Sequence, residues 1–249
     1  MAKAPKIVFL HIPKTGGSSL SKALRSHYRF SGFHIKSGES SRAAEWMSGL
    51  TPDDAGFLDA RQRVRESLIL YAAAQDKRFL TGHVWNSPGI TALRGAGYRI
   101  VTCLRHPVDR WFSNYFYSRY KQGAHGRIEL SLEDFLQTHH ARDFGTTYVQ
   151  YLGGIDAGGD YTQAPAIARA QQAVDTIDEV AFLDALPAFV ALMKQRHGMN
   201  LRIPHERKGP LPADEVKRYK ESKEIRASIT ALCAPDIEVY EYARRKLGP

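Results

Sequence analysis

The apolar positions near the amino terminus, Ile7-Val8-Phe9-Leu10, run without alternation. That is the pattern of a strand covered on both faces, as in a parallel sheet. Residues 6–11 are read as this strand, 13–19 as a turn, and 20–28 as a helix by its spacing. Residues 79–84 predict a second strand and 98–104 a third, the latter almost continuously apolar. Pro107 opens a helix reaching about residue 120, with proline in its first turn. Ser131-Leu132-Glu133-Asp134 reads as a cap followed by first-turn acids. Further helices are expected over 61–74, 164–175, 186–197, 215–232 and 236–247, and a short strand over 180–183. Residues 31–60 read as a loop-rich insertion with a short helix, and 121–130 and 153–159 as loops. Strands alternating with helices imply an α/β fold: a P-loop-like three-layer sandwich with a central, mostly parallel sheet flanked by helices.

The chain has 249 residues, which fits a single domain over 1–249. Its 43% hydrophobic and 24% charged residues exclude a disordered chain. The net charge of +9 favours anionic partners, whether nucleotides, acidic glycans, nucleic acid or membrane surfaces. The two cysteines, Cys103 and Cys233, form no CxxC pair, so neither a zinc site nor a disulfide framework is expected. No window approaches the roughly 18–20 apolar residues of a membrane span. No membrane span and a cytoplasmic location are the expectation.

The first turn carries Pro13-Lys14-Thr15-Gly16-Gly17-Ser18-Ser19 between strand and helix. Glycines let the backbone turn tightly and present successive N–H groups to a ligand. The following helix adds its free N–H groups and dipole, which favour a phosphate-like group. Lys14 supplies a cation, and Thr15, Ser18 and Ser19 supply hydroxyls. The order is not GxxxxGK[ST], because the lysine precedes the glycines. Alone, the loop equally fits a plain βα turn with a solvated lysine.

The third predicted strand runs into Arg105, and Ser113 follows eight residues later in a helix. Arginine and serine can share one phosphate, the first by a charged fork and the second by a hydroxyl. Taken singly, Arg105 also fits a surface ion pair and Ser113 a solvated helix serine. Arg110 reads as a salt-bridge partner for a carboxylate elsewhere. The second strand ends at Gly82-His83, on the same sheet edge as Lys14 and Arg105. A histidine there suits proton transfer near neutral pH, or bonds to backbone as a structural residue. His106 and the pair His139-His140 carry less, since adjacent helical residues point about 100° apart. The aromatic run 111–120, with helical spacing at 112, 116 and 120, reads as core packing.

His11-Ile12-Pro13-Lys14-Thr15-Gly16-Gly17-Ser18-Ser19-Leu20 resembles the 5′-phosphosulfate loop of sulfotransferases that use 3′-phosphoadenosine-5′-phosphosulfate (PAPS). It is most similar to the branch that includes heparan sulfate 2-O-sulfotransferases and bacterial relatives. The resemblance implies sulfuryl transfer from PAPS to a hydroxyl acceptor, a glycan or small molecule, leaving adenosine 3′,5′-bisphosphate. It implies that residues 13–19 bind the 5′ group, with Lys14 as catalytic cation. It further implies that Arg105 and Ser113 grip the 3′-phosphate, that His83 is the base, and that no metal is required. Insertions near 31–75 and 121–163 are expected to form the acceptor side. The Arg207-Lys208-Gly209 triplet resembles another 3′-phosphate segment. Tyr148 and Tyr151 stand where the family usually carries Asn and Thr-Arg, so this segment departs from the family pattern and no acceptor or adenine contact is carried over from it. The alternative is an ATP-dependent small-molecule or nucleotide kinase of P-loop type. Against it, the strand over 98–104 runs into arginine where a Walker B aspartate would stand. A non-catalytic polyanion-binding module is the third reading. No nucleic-acid partner is expected, because the basic residues are scattered.

Overall fold

The computed structural model describes residues 4–123, 126–154, 159–204 and 211–248. In chain order the first half holds β1 (Lys6–Leu10), α1 (Gly17–Arg25), β2 (Gly32–His34), α2 (Ser37–Ser48), α3 (Phe57–Ala74), β3 (Phe79–Gly82), α4 (Pro88–Ala92), β4 (Tyr98–Leu104) and α5 (Pro107–Tyr120). The second half holds α6 (Leu132–Phe135), α7 (His139–Gly145), α8 (Thr147–Gly153), α9 (Ala164–Val174), β5 (Glu179–Phe182), α10 (Leu186–His197), α11 (Ala213–Glu221), α12 (Lys223–Leu232) and α13 (Ala234–Leu247). The five strands form one sheet in the order β2-β3-β1-β4-β5, and every pairing is parallel.

The period of two along each strand sends side chains to opposite faces. Ile7, Phe9, Phe79, Val101, Cys103 and Ala181 meet α1 and α10 on one face. Val8, Leu10, Leu80, Ile100, Leu104 and Val180 meet α3, α8, α9 and α13 on the other. Both faces are apolar because both are covered, which explains the unbroken runs in the sequence. A third apolar cluster joins α5, α6, α7, α11 and α12 around Trp111, Tyr115 and Phe135. No helix among the described residues is long and apolar enough to cross a membrane.

The expected three-layer arrangement is present. Two local readings change. Residues 31–60 contain edge strand β2, the twelve-residue helix α2 and the first turn of α3, so they are not mainly loop. β2 is only three residues and half exposed, so its sequence shows no apolar run. The helix expected over 215–232 is two helices. Ser222 adopts an extended ψ of 121° and its hydroxyl accepts from the Ile225 N–H, so it caps α12 and ends α11.

Candidate functional site

Strand order decides where a crevice opens. From β1 the chain passes through α1 toward β2, on one side; from β4 it proceeds toward β5, on the other. Between two such diverging connections the carboxyl ends of the strands leave a cleft, the usual ligand site of an open parallel sheet. The segments following β1, β3 and β4 meet at this edge, and they carry Lys14, His83 and Arg105.

The loop after β1 is held from inside. The Thr15 hydroxyl donates to Ile12 O at 2.9 Å, and the Cys103 thiol of β4 donates to Thr15 O at 3.1 Å. Both groups are buried, and burial pushes the Cys103 thiol up to about 12, so it remains a protonated donor. Lys14 (φ 67°) and Gly16 (φ 85°) are both left-handed. For a lysine this costs about 1–2 kcal/mol, strain of the kind that tight surrounding contacts maintain at binding loops. A side chain at Gly16 would also put Cβ 2.6 Å from Leu183 Cδ1, and one at Gly17 would put it 2.4 Å from His11 Cδ2. Pro13 and Ser19 are half-buried, and Ser18 is exposed. Gly16 caps α1 without a side-chain hydrogen bond, and its first turn holds no acid. The leading N–H groups therefore retain their attraction for an anion.

The Lys14 ammonium lies 3.7 Å from the centroid of the Tyr117 ring in α5. Tyr117 is one helical turn from Ser113, on the same face of α5. The loop after β1 and the helix after β4 thus converge. The half-buried Arg105 stands between β4 and α5, with its guanidinium pKa lowered by burial against the pull of Asp109 and Tyr148. The ladder ends before it: β4 pairs with β1 through Thr102 and with β5 through Leu104. The Tyr148 hydroxyl accepts from Arg105 N at 2.9 Å and donates to Arg105 O at 2.5 Å.

The half-buried His83 follows β3 directly. Its Nδ1 is 2.6 Å from His11 O, and a carbonyl only accepts, so Nδ1 carries the proton. Nε2 of the neutral ring is then the basic nitrogen. Burial, with Arg65, His34 and Arg61 nearby, holds His83 down to about 4 even though the His11 carbonyl opposes the shift. The His11 ring lies 4.5 Å from it, itself held to about 3 by burial and by His83. Both rings are therefore neutral at pH 7.

Around His83 the α2–α3 region contributes cations. Buried Arg65 donates from Nη1 to His83 O at 2.7 Å and from Nε to Ser40 Oγ at 3.0 Å. Its pKa falls to about 10 through burial and through Arg61. Arg61 Nε is buried without a hydrogen-bond partner among the described residues, as is Gln62 Nε2. No carboxylate ion pair compensates Arg61 or Arg65 among the described residues.

Lys14, His83 and Arg105 follow β1, β3 and β4 on one edge of the sheet, and Ser113 lies in α5, one turn before Tyr117. Sequence reasoning missed the site-side neighbours Arg61, Arg65, Tyr117 and Tyr148. Tyr117 was legible only as an aromatic outside the 112/116/120 stripe, and it is exposed whereas Phe112 and Phe116 are buried. Arg110 finds its expected carboxylate in Asp236, 3.8 Å away. His106 rests edge-on against Tyr240, and His139 faces Asp143 at 3.5 Å. Arg207, Lys208 and Gly209 lie outside the described residues. A cavity of about 460 Å3 lined by Arg127, Glu129, Leu130, Phe135 and Thr138 shares no residue with this cluster.

No protein-family model matches the chain, and no curated protein sequence matches it. Among solved structures it is similar to the crystal structure of a sulfotransferase from Alicyclobacillus acidocaldarius, with a TM-score of 0.42 and 16% identity, covering 97% of this chain and 100% of that one.

Proposed function

We propose that this protein is a sulfotransferase that moves the sulfuryl group of PAPS to a hydroxyl of an anionic acceptor. The observation that carries the reading is the meeting of two anion-binding elements. Lys14 on the loop after β1 touches Tyr117, one turn from Ser113 on the helix that Arg105 precedes. A nucleotide with phosphates at both 5′ and 3′ positions needs two such grips, and a nucleoside triphosphate does not. The chemistry fits in-line displacement. The acceptor oxygen bonds to sulfur as the bond from sulfur to the bridging phosphate oxygen breaks. The acceptor proton passes to Nε2 of His83, and the electron pair leaves on the phosphate, where Lys14 offsets the charge.

The side chains beside His83 support an acidic acceptor, carbohydrate among the candidates. Arg61 and Arg65 are partly or fully desolvated and lack carboxylate partners among the described residues, and such guanidinium groups gain from an incoming anion. Both belong to the insertion over 31–75, which we assign with 121–163 to the acceptor side of a single domain. The kinase reading is weaker here. The strands flanking β1 run into His83 and Arg105, not into a carboxylate suited to magnesium. Calorimetric titration tests the proposal: adenosine 3′,5′-bisphosphate should bind at least tenfold tighter than AMP, and equal affinities would remove its basis.

A further inference from the structure

We propose that Tyr148 is a positioning residue that fixes Arg105 for the nucleotide's 3′-phosphate, an inference that rests on the function proposed above. Arg105 is the first residue of its segment beyond both strand ladders, so its main chain would otherwise be free to turn. One hydroxyl satisfies both main-chain groups, accepting from N–H and donating to C=O, which uses its donor and one acceptor on a single residue. The Tyr148 ring is itself fully buried. Its helix is anchored from below: Tyr148 N and Val149 N donate to Asp236 Oδ1 at 2.8 and 3.1 Å. Buried Arg110 lies 5.6 Å from the Tyr148 ring and also donates to Phe144 O. The hydroxyl is therefore delivered by a rigid buried framework, and the arginine side chain starts from a fixed backbone. A fixed start lowers the ordering cost of gripping a phosphate.

Tyr148→Phe removes the hydroxyl and keeps the ring. Amide hydrogen exchange on the ligand-free protein reads the clamp, and titration with adenosine 3′,5′-bisphosphate and with AMP reads its consequence. Exchange at the Arg105 amide should accelerate, and the bisphosphate Kd should rise about tenfold, the loss of about one good hydrogen bond, with AMP unchanged. In an Arg105→Ala background the same substitution should add nothing to the bisphosphate Kd. Unchanged exchange, unchanged bisphosphate affinity, or equal weakening of both nucleotides each overturns the inference. A wild-type protein that fails to prefer the bisphosphate overturns the functional reading first, before any variant is made. The phosphate role of Tyr148 falls with it, while the exchange result still judges the clamp.

Discussion

His83 Nδ1 sits 2.6 Å from the carbonyl oxygen of His11, so one backbone group decides which nitrogen of the imidazole is basic. The free-enzyme pH profile of kcat/KM should accordingly be flat from pH 6 to 8 on its acidic side. It should fall as pH drops through about 4, where the ring gains its proton. His83→Gln should abolish that limb and reduce turnover by about 10²–10⁴-fold.

The same two rings affect folding. His11 and His83 have folded values of about 3 and 4, below the unfolded value near 6.5. The unfolded chain therefore binds more protons in that window. Their contribution is present above pH 6.5 and is lost as pH falls toward 3. Urea denaturation at pH 7 and pH 5 should show His11→Phe with a smaller loss of stability between the two than wild type.

Lys14→Ala should lower turnover by orders of magnitude and leave the melting temperature within a few degrees. The side chain is half exposed, and its left-handed backbone gives the native residue no advantage in stability. Tyr117→Phe should preserve the ring contact and the rate. Tyr117→Leu should weaken turnover, because a cation gains about 0.5–2 kcal/mol from an aromatic face. Steady-state kinetics with PAPS separates the three.

Gly17→Ala pushes a methyl into the His11 ring, which already meets His83 at 4.5 Å. Overpacking of this kind costs about 1–3 kcal/mol. Thermal unfolding should show that loss, and kcat should fall further than the stability change explains, since the displaced ring bears on the base.

Asp236→Ala should destabilise by about 3–5 kcal/mol, because the Tyr148 and Val149 amides of α8 lose their buried acceptor and buried Arg110 loses its carboxylate neighbour, whose own pKa burial raises to about 7. The exposed pair Lys246–Asp175 gives the contrast: Asp175→Ala should cost under about 1 kcal/mol despite a 2.5 Å contact. Chemical denaturation measures both.

The buried strands β1 and β4 were legible because parallel strands covered on both faces spell continuous apolar runs. Helix α5 was legible to its ends, opened by Pro107. The loop residues Lys14 to Ser19 and the step from β4 into Arg105 were visible because their chemistry is local in sequence. Three features were hidden because they depend on long-range contacts. Edge strand β2 has no apolar signature. Tyr148 is an ordinary core tyrosine until it is seen 43 positions from the arginine it holds. Arg61 and Arg65 belong to a helix that the sequence shows only as helical over 61–74, and the packing of α3 against β3 is what brings them to His83.

The most direct test of the two-grip account is a crystal structure with adenosine 3′,5′-bisphosphate bound. The account requires the 3′-phosphate within hydrogen-bond distance of Arg105 and Ser113, and the 5′-phosphate on the Gly16–Ser19 amides beside Lys14. A nucleotide bound elsewhere, or one whose 3′-phosphate faces solvent, would contradict it.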